Sequence, residues 1–66
     1  MKANGKEIRK VRQALGLTIG DFAKRAKVTK QAVQSWEKGR IATFRTLTKV
    51  ARLLGVKEQN LVIWNK

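Results

Sequence analysis

Apolar residues recur at intervals of three and four through most of this chain, and that period is typical of amphipathic α-helices. A first helix is predicted from Gly5 to Leu15, because Asn4 and Glu7 form a capping-box pattern at its start. Its apolar positions are Ile8, Val11 and Leu15. Gly16 ends this helix, as expected of a residue in the left-handed conformation.

The same spacing predicts four further helices. The second covers about residues 18–26 and the third about residues 29–38, capped by Thr18 and Thr29. The fourth follows the cap Thr43 and stops at Gly55, and a shorter fifth runs from Lys57 to about Val62. Residues 62–64 fit helix, strand or extended chain. The pattern therefore predicts an all-α fold, with five short helices around one core.

Aromatic residues are assigned to that core. Val33 and Trp36 lie three apart on one side of the third helix, so Trp36 is expected inside and not as a platform for bases. Phe22 and Phe44 are interpreted in the same way.

Length and composition limit the chemistry. The 66 residues are predicted to form a single domain, 1–66, and an apolar fraction of 42% suffices for one core. Cysteine and histidine are absent, so no disulfide and no His- or Cys-based metal site is expected. The carboxylates are Glu7, Asp21, Glu37 and Glu58. They are scattered and form no catalytic pair, so we expect no enzyme, no cofactor and no small-molecule ligand.

Membrane and export signals are missing from the pattern. No apolar run approaches the roughly 20 residues needed to cross a bilayer, and no signal-peptide core follows the amino terminus. We therefore expect a cytoplasmic protein without a membrane partner.

A net charge of +12 favours nucleic acid as the partner. The 16 Lys and Arg residues are spread along the chain, which indicates a folded domain with a wide positive surface. The third helix presents polar side chains opposite Val33 and Trp36. These candidates for contact with DNA bases are Lys30, Gln31, Gln34 and Ser35. A glutamine amide can pair with both N6 and N7 of adenine, and a lysine can contact guanine or a phosphate.

Basic residues on either side of the third helix are candidates for phosphate contacts, which add affinity without sequence preference. They are Lys38, Arg40 and, at the start of the fourth helix, Arg45.

Five segments together resemble the lambda-type repressor and Cro helix-turn-helix family, also called XRE-type. After the first helix they read Leu-Thr-x-x-x-Phe-Ala, Val-Thr, x-x-Val-x-x-Trp-Glu-Lys-Gly and Thr-Leu-x-x-Val-Ala-x-Leu-Leu-Gly-Val. The resemblance covers about residues 8–61, nearly the whole chain. It implies a compact lambda-repressor-like DNA-binding domain in which the third helix is the recognition helix.

The resemblance also implies roles for individual residues. Arg12 and Glu37 match a buried or half-buried ion pair between the first and third helices. Positions that can contact phosphate are matched by Thr18, Thr29, Lys38 and the segment from Thr43 to Arg45.

Three positions depart from the family pattern. Ile19 stands where a polar residue often holds a phosphate, and Lys27 stands in the turn where glycine is common. A positive φ at Lys27 would strain the backbone. Proline is often found near the position of Phe44, and this chain contains none.

The sequence is therefore interpreted as a double-stranded DNA-binding regulator of transcription, most simply a Cro-like repressor. We expect it to bind a pseudo-palindromic operator as a homodimer, with dimer contacts from Leu61, Ile63 and Trp64. Two alternatives stay open, an antitoxin that neutralises a partner toxin and the DNA-binding domain of a longer regulator. A cationic membrane-active peptide is disfavoured by the capped, glycine-punctuated helices.

Overall fold

A computed structural model describes residues 2–63 of the chain. The elements follow in the order β1 (Lys2–Ala3), α1 (Gly5–Ala14), α2 (Ile19–Ala26), α3 (Lys30–Glu37), α4 (Phe44–Leu54), a 3₁₀ helix (Glu58–Leu61) and β2 (Val62–Ile63). None of the helices in residues 2–63 has the length and apolar character needed to span a membrane. Trp64, one of the predicted dimer contacts, lies outside the described residues.

The four predicted α-helices are confirmed to within a residue or two at each end, because their caps form as the sequence indicates. Asn4 Oδ1 accepts from Glu7 N–H at 3.2 Å, and the Thr18 hydroxyl accepts from Asp21 N–H at 3.0 Å. Thr29 and Thr43 cap α3 and α4 in the same way. Such caps satisfy N–H groups that have no partner within the helix.

The prediction of a fifth α-helix is wrong. Its place is taken by the 3₁₀ helix and by β2, which pairs antiparallel with β1, Lys2 opposite Ile63 and Ala3 opposite Val62. The Asn4 N–H also donates to the Leu61 carbonyl at 2.7 Å. Lys57 offers no side-chain cap, and the β-branched pair at the end finds a strand partner, so pairing of the chain ends replaces a short helix.

The core lies between all four α-helices and the 3₁₀ helix. Its fully buried large side chains are Ile8, Phe22, Val33, Leu47, Val50 and Leu61. Trp36 packs edge-on against Phe22, with ring centroids 5.9 Å apart. This core fixes the orientation of α3 from behind.

Two apolar residues lie outside the core against expectation. Phe44 is 56% exposed and Leu15 is 52% exposed, so the core assignment of Phe44 is wrong. Helical side chains lean toward the amino terminus, and Phe44, the first residue of α4, has no preceding turn beneath it. Leu15 is the C-cap residue of α1, past its last helical residue Ala14, whereas the buried positions of the helix are Gly5, Ile8 and Arg12.

Candidate nucleic-acid interface

Helices α2 and α3 form a helix-turn-helix unit whose turn is Lys27 to Thr29. Lys27 has φ 58° and ψ 44°, so the left-handed conformation that the family comparison raised is present at a non-glycine residue. Val28 N–H donates to the Ala23 carbonyl at 3.0 Å across this turn. The small residues Ala23 and Ala26 are buried, which lets the two helices approach closely.

Helix α3 has one buried and one exposed face. Val33 is fully buried and Trp36 is 7% exposed. The opposite face carries the predicted base contacts, with Lys30, Gln31 and Gln34 exposed and Ser35 partly buried. This face has no carboxylate, because Glu37, the one acidic residue of α3, is turned toward α1. A surface that carries only uncharged and cationic side chains can approach polyanionic DNA without repulsion.

Lys30 differs in direction from the two glutamines. Its Cε lies 3.2 Å from the position that a Cβ would take at Gly20, so its side chain lies back across the first turn of α2. The glycine leaves the space for this packing. The ammonium group thereby lies near Gly20, in the first turn of α2, with Lys30 Nζ 3.8 Å from that Cβ position.

Glu37 and Arg12 form a buried ion pair. Arg12 Nε lies 2.6 Å from Glu37 Oε2, and the two side chains are 7% and 10% exposed. Arg12 Nη2 donates to Glu37 Oε1 at 3.3 Å, and Nη1 donates to the Leu17 carbonyl at 2.7 Å. Gly5 permits the close approach of α1, since a Cβ there would overlap the Glu37 carbonyl. These contacts tie the end of α3 to α1 and to the chain that enters α2.

The predicted phosphate contacts are three threonines that cap helices and three cationic residues. The hydroxyls of Thr18 and Thr29 accept hydrogen bonds from backbone N–H groups, and each retains its own proton for donation to a phosphate. The Thr43 hydroxyl lies 3.0 Å from the Thr46 hydroxyl, so the two share a hydrogen bond. The cationic candidates Lys38, Arg40 and Arg45 are all exposed.

Asp21 brings a negative charge to the amino end of α2. Its carboxylate accepts from the Thr18 N–H at 3.1 Å, and its pKa lies below the ordinary value. The Thr18 backbone bond is the largest cause, followed by the Thr18 side chain, with smaller contributions from Lys24 and Arg25. The carboxylate is thus committed to capping α2.

Arg9 is a candidate that the sequence pattern missed. It is exposed on α1 and shares a surface depression of about 400 Å³ with Gln34, Glu37 and Lys38, at the edge of the α3 face. The available signal was its place three residues before Arg12, which puts Arg9 near the side of α1 that packs on α3.

Of the predicted dimer contacts, Leu61 is fully buried in the core and offers no side-chain surface. Ile63 is 40% exposed, so it is the described member of that set with a free surface.

Comparisons with known proteins agree with this geometry. A family model described as helix-turn-helix matches residues 8–61. The chain is similar to a protein of Archaeoglobus fulgidus assigned as an HTH-type transcriptional regulatory protein, with 34% identity over 65 residues. The match covers 94% of this chain but only 21% of that relative, so the chain spans about a fifth of the relative's length. The chain belongs to the XRE-type helix-turn-helix family, whose members are DNA-binding domains and not enzymes.

Proposed function

We propose that this domain regulates transcription by binding an operator in double-stranded DNA, with α3 in the major groove. The observation that carries the proposal is the two-sided character of α3. Val33 and Trp36 hold it to the core, while Gln31 and Gln34 face outward among cationic side chains. Side-chain amides suit adenine edges, and a rigid helix presents them in a fixed register. Repression follows if the occupied operator overlaps the site of polymerase.

Dimeric binding is part of the proposal. The eight residues of α3 make a rod about 12 Å long, which matches about four base pairs at about 3.4 Å each. A site of about four base pairs occurs many times by chance in any genome, so one copy of α3 cannot specify an operator. Two copies related by a two-fold axis would read two half-sites about 34 Å apart. Ile63 is the described residue that we assign to the contact between copies.

A second candidate is the DNA-binding domain of a longer regulator. This candidate is supported by the Archaeoglobus fulgidus relative, because the match covers only 21% of that protein's length. In that case the remaining part of the protein would supply dimerisation or ligand control, while α3 would still read DNA.

Selection of bound duplexes from a random pool tests the proposal directly. We expect an enriched site with two inverted half-sites, their centres one helical turn apart. Enrichment of a single unpaired half-site would contradict dimeric binding by this chain. No enrichment, with equal retention of all duplexes, would contradict sequence-specific regulation.

The role of α3 is tested by Gln31→Ala on the selected site. We expect loss of discrimination between that site and a site with one altered base pair, by roughly 5- to 100-fold. Gln59→Ala is the matched control, because Gln59 is an exposed glutamine outside the α2–α3 unit. Equal loss of affinity for both duplexes in Gln31→Ala would remove this residue from base reading.

A further inference from the structure

All four α-helices of residues 2–63 end in the same backbone motif. An N–H donates to the carbonyl five residues earlier, as from Leu17 to Arg12 at 3.1 Å and from Val28 to Ala23 at 3.0 Å. The residue before each donor has a positive φ. These left-handed residues are Gly16, Lys27, Gly39 and Gly55. Lys27 is therefore the one exception to glycine, and it stands in the helix-turn-helix turn.

The backbone at Lys27 gives no reason for a lysine. A left-handed conformation is costly for a residue with a Cβ and free for glycine. The side chain gives no internal reason either. It is exposed, and its ammonium group forms no hydrogen bond or ion pair within residues 2–63. A residue in a strained conformation whose charged group has no partner in the described part of the chain points to a role in binding.

The surroundings of Lys27 indicate what is bound. Lys24, Lys27 and Lys30 line one open groove of about 450 Å³ between α2 and the start of α3. Asp21 supplies the one carboxylate of its lining, and the Thr18 N–H already bonds to it. The groove therefore carries an excess of positive charge, which suits an anion.

We propose that Lys27 binds a DNA phosphate at the edge of the major groove, and that the strained turn is retained for this contact. The inference rests on the proposed function. When the start of a recognition helix meets base edges, the preceding helix crosses the DNA backbone. The turn between them then lies over the phosphates, and Lys27 stands three residues before Lys30 in that turn. A glycine would relax the turn but remove the charge.

Four variants separate strain from charge. Lys27→Gly relieves the strain and removes the charge, Lys27→Asn removes the charge in a residue that tolerates the left-handed region, and Lys27→Arg keeps the charge. Lys10→Asn is the matched control, since Lys10 is exposed on the side of α1 opposite its buried residues. Thermal melts and duplex-binding titrations over a series of KCl concentrations are measured for each variant, with the selected site and with random DNA.

We expect Lys27→Gly to melt about 5 °C higher than the parent protein. It should bind both duplexes roughly tenfold more weakly, with a salt slope smaller by about one. Lys27→Asn should lose the same affinity, while Lys27→Arg and Lys10→Asn keep the parent slope.

Three results would overturn the inference. They are an unchanged salt slope in Lys27→Gly, an equal loss in Lys10→Asn, or a lower melting temperature in Lys27→Gly. A parent protein that binds no duplex at all would defeat the proposed function itself, which is a different and recognisable outcome.

Discussion

At the scale of single residues, Arg12 carries a charge into the core and places it among fixed acceptors. Its guanidinium donates to both carboxylate oxygens of Glu37 and to the Leu17 carbonyl. Removing two charges from water is costly, and the attraction between them offsets that cost only where the geometry is good. The pair therefore adds little net stability. Its effect is positional, because it holds the last turn of α3 against α1.

Breaking one side of this pair should be far worse than removing both. Glu37→Leu is expected to lower the free energy of unfolding by about 3–5 kcal/mol, because the Arg12 charge is left buried without a partner. Adding Arg12→Met should recover most of the loss. Denaturant unfolding of the parent, the two single variants and the double variant gives the coupling energy. Losses that simply add in the double variant would contradict the prediction.

The two phenylalanines show what helical spacing predicts for a residue. Phe22 is fully buried, as expected, because it stands inside α2 with a turn of helix on either side. Phe44 has similar apolar spacing but stands at the first position of α4, where its side chain extends past the core. Helical periodicity predicts the direction in which a side chain points from the helix axis. It does not predict whether other residues are there to pack against it at that position along the axis. The burial of Arg12 was implied only by family resemblance.

At the scale of elements, helix ends could be predicted because each cap is local. The Asn4, Thr18, Thr29 and Thr43 side chains each bond to an N–H three residues later, so four adjacent positions contain the whole signal. The β1–β2 pair lacks such a signal. It joins Lys2 to Ile63, at opposite ends of the described chain. Strands of two residues are too short to show the alternation of polar and apolar residues by which a strand is recognised in a sequence. The same limit applies to Arg9, whose place beside Gln34 depends on how α1 packs.

The capping box of α2 should make stability depend on acid pH through Asp21. Its pKa is lowered in the folded domain, so its contribution is present above the unfolded pKa and is lost as pH falls through the folded value. Thermal melts from neutral pH downward should therefore fall more steeply for the parent than for Asp21→Asn, with the difference developing below about pH 4.

The comparison isolates one group, because the two proteins differ only at residue 21. At neutral pH the Asp21→Asn variant should be slightly less stable, since it lacks the negative charge at the positive end of the α2 dipole. If the melting temperatures of the two proteins changed with pH in the same way, ionisation of Asp21 would make no contribution to stability, and the prediction would be wrong.

At the scale of the whole molecule, acidic and basic side chains have different roles. Three carboxylates lie in the first turn of a helix, namely Glu7, Asp21 and Glu58, and Glu37 is paired with Arg12. Arg12 is the buried basic residue of the part that the structure describes. The other basic side chains of residues 2–63 are exposed, so the acidic groups stabilise the fold while the cationic groups form its surface. Such a surface attracts DNA of any sequence through counterion release.

That general attraction must be distinguished from individual phosphate contacts, and α4 offers a matched pair for doing so. Arg45 is exposed at the second position of α4, beside the cap Thr43, whereas Arg52 is exposed in the last turn of the same helix. Arg45→Ala should weaken binding to the selected and random duplexes alike and reduce the salt slope by about one. Its unfolding free energy should stay within about 0.5 kcal/mol of the parent.

Arg52→Ala removes the same charge from the same helix and should leave the salt slope near the parent value, because no contact with the duplex is assigned there. Binding titrations of both variants against KCl concentration make the comparison. If the two variants lowered the slope equally, the duplex would be responding to net charge alone. The amino end of α4 would then lose its place in the interface, and the orientation of the domain on DNA would have to be argued from α2 and α3 without it.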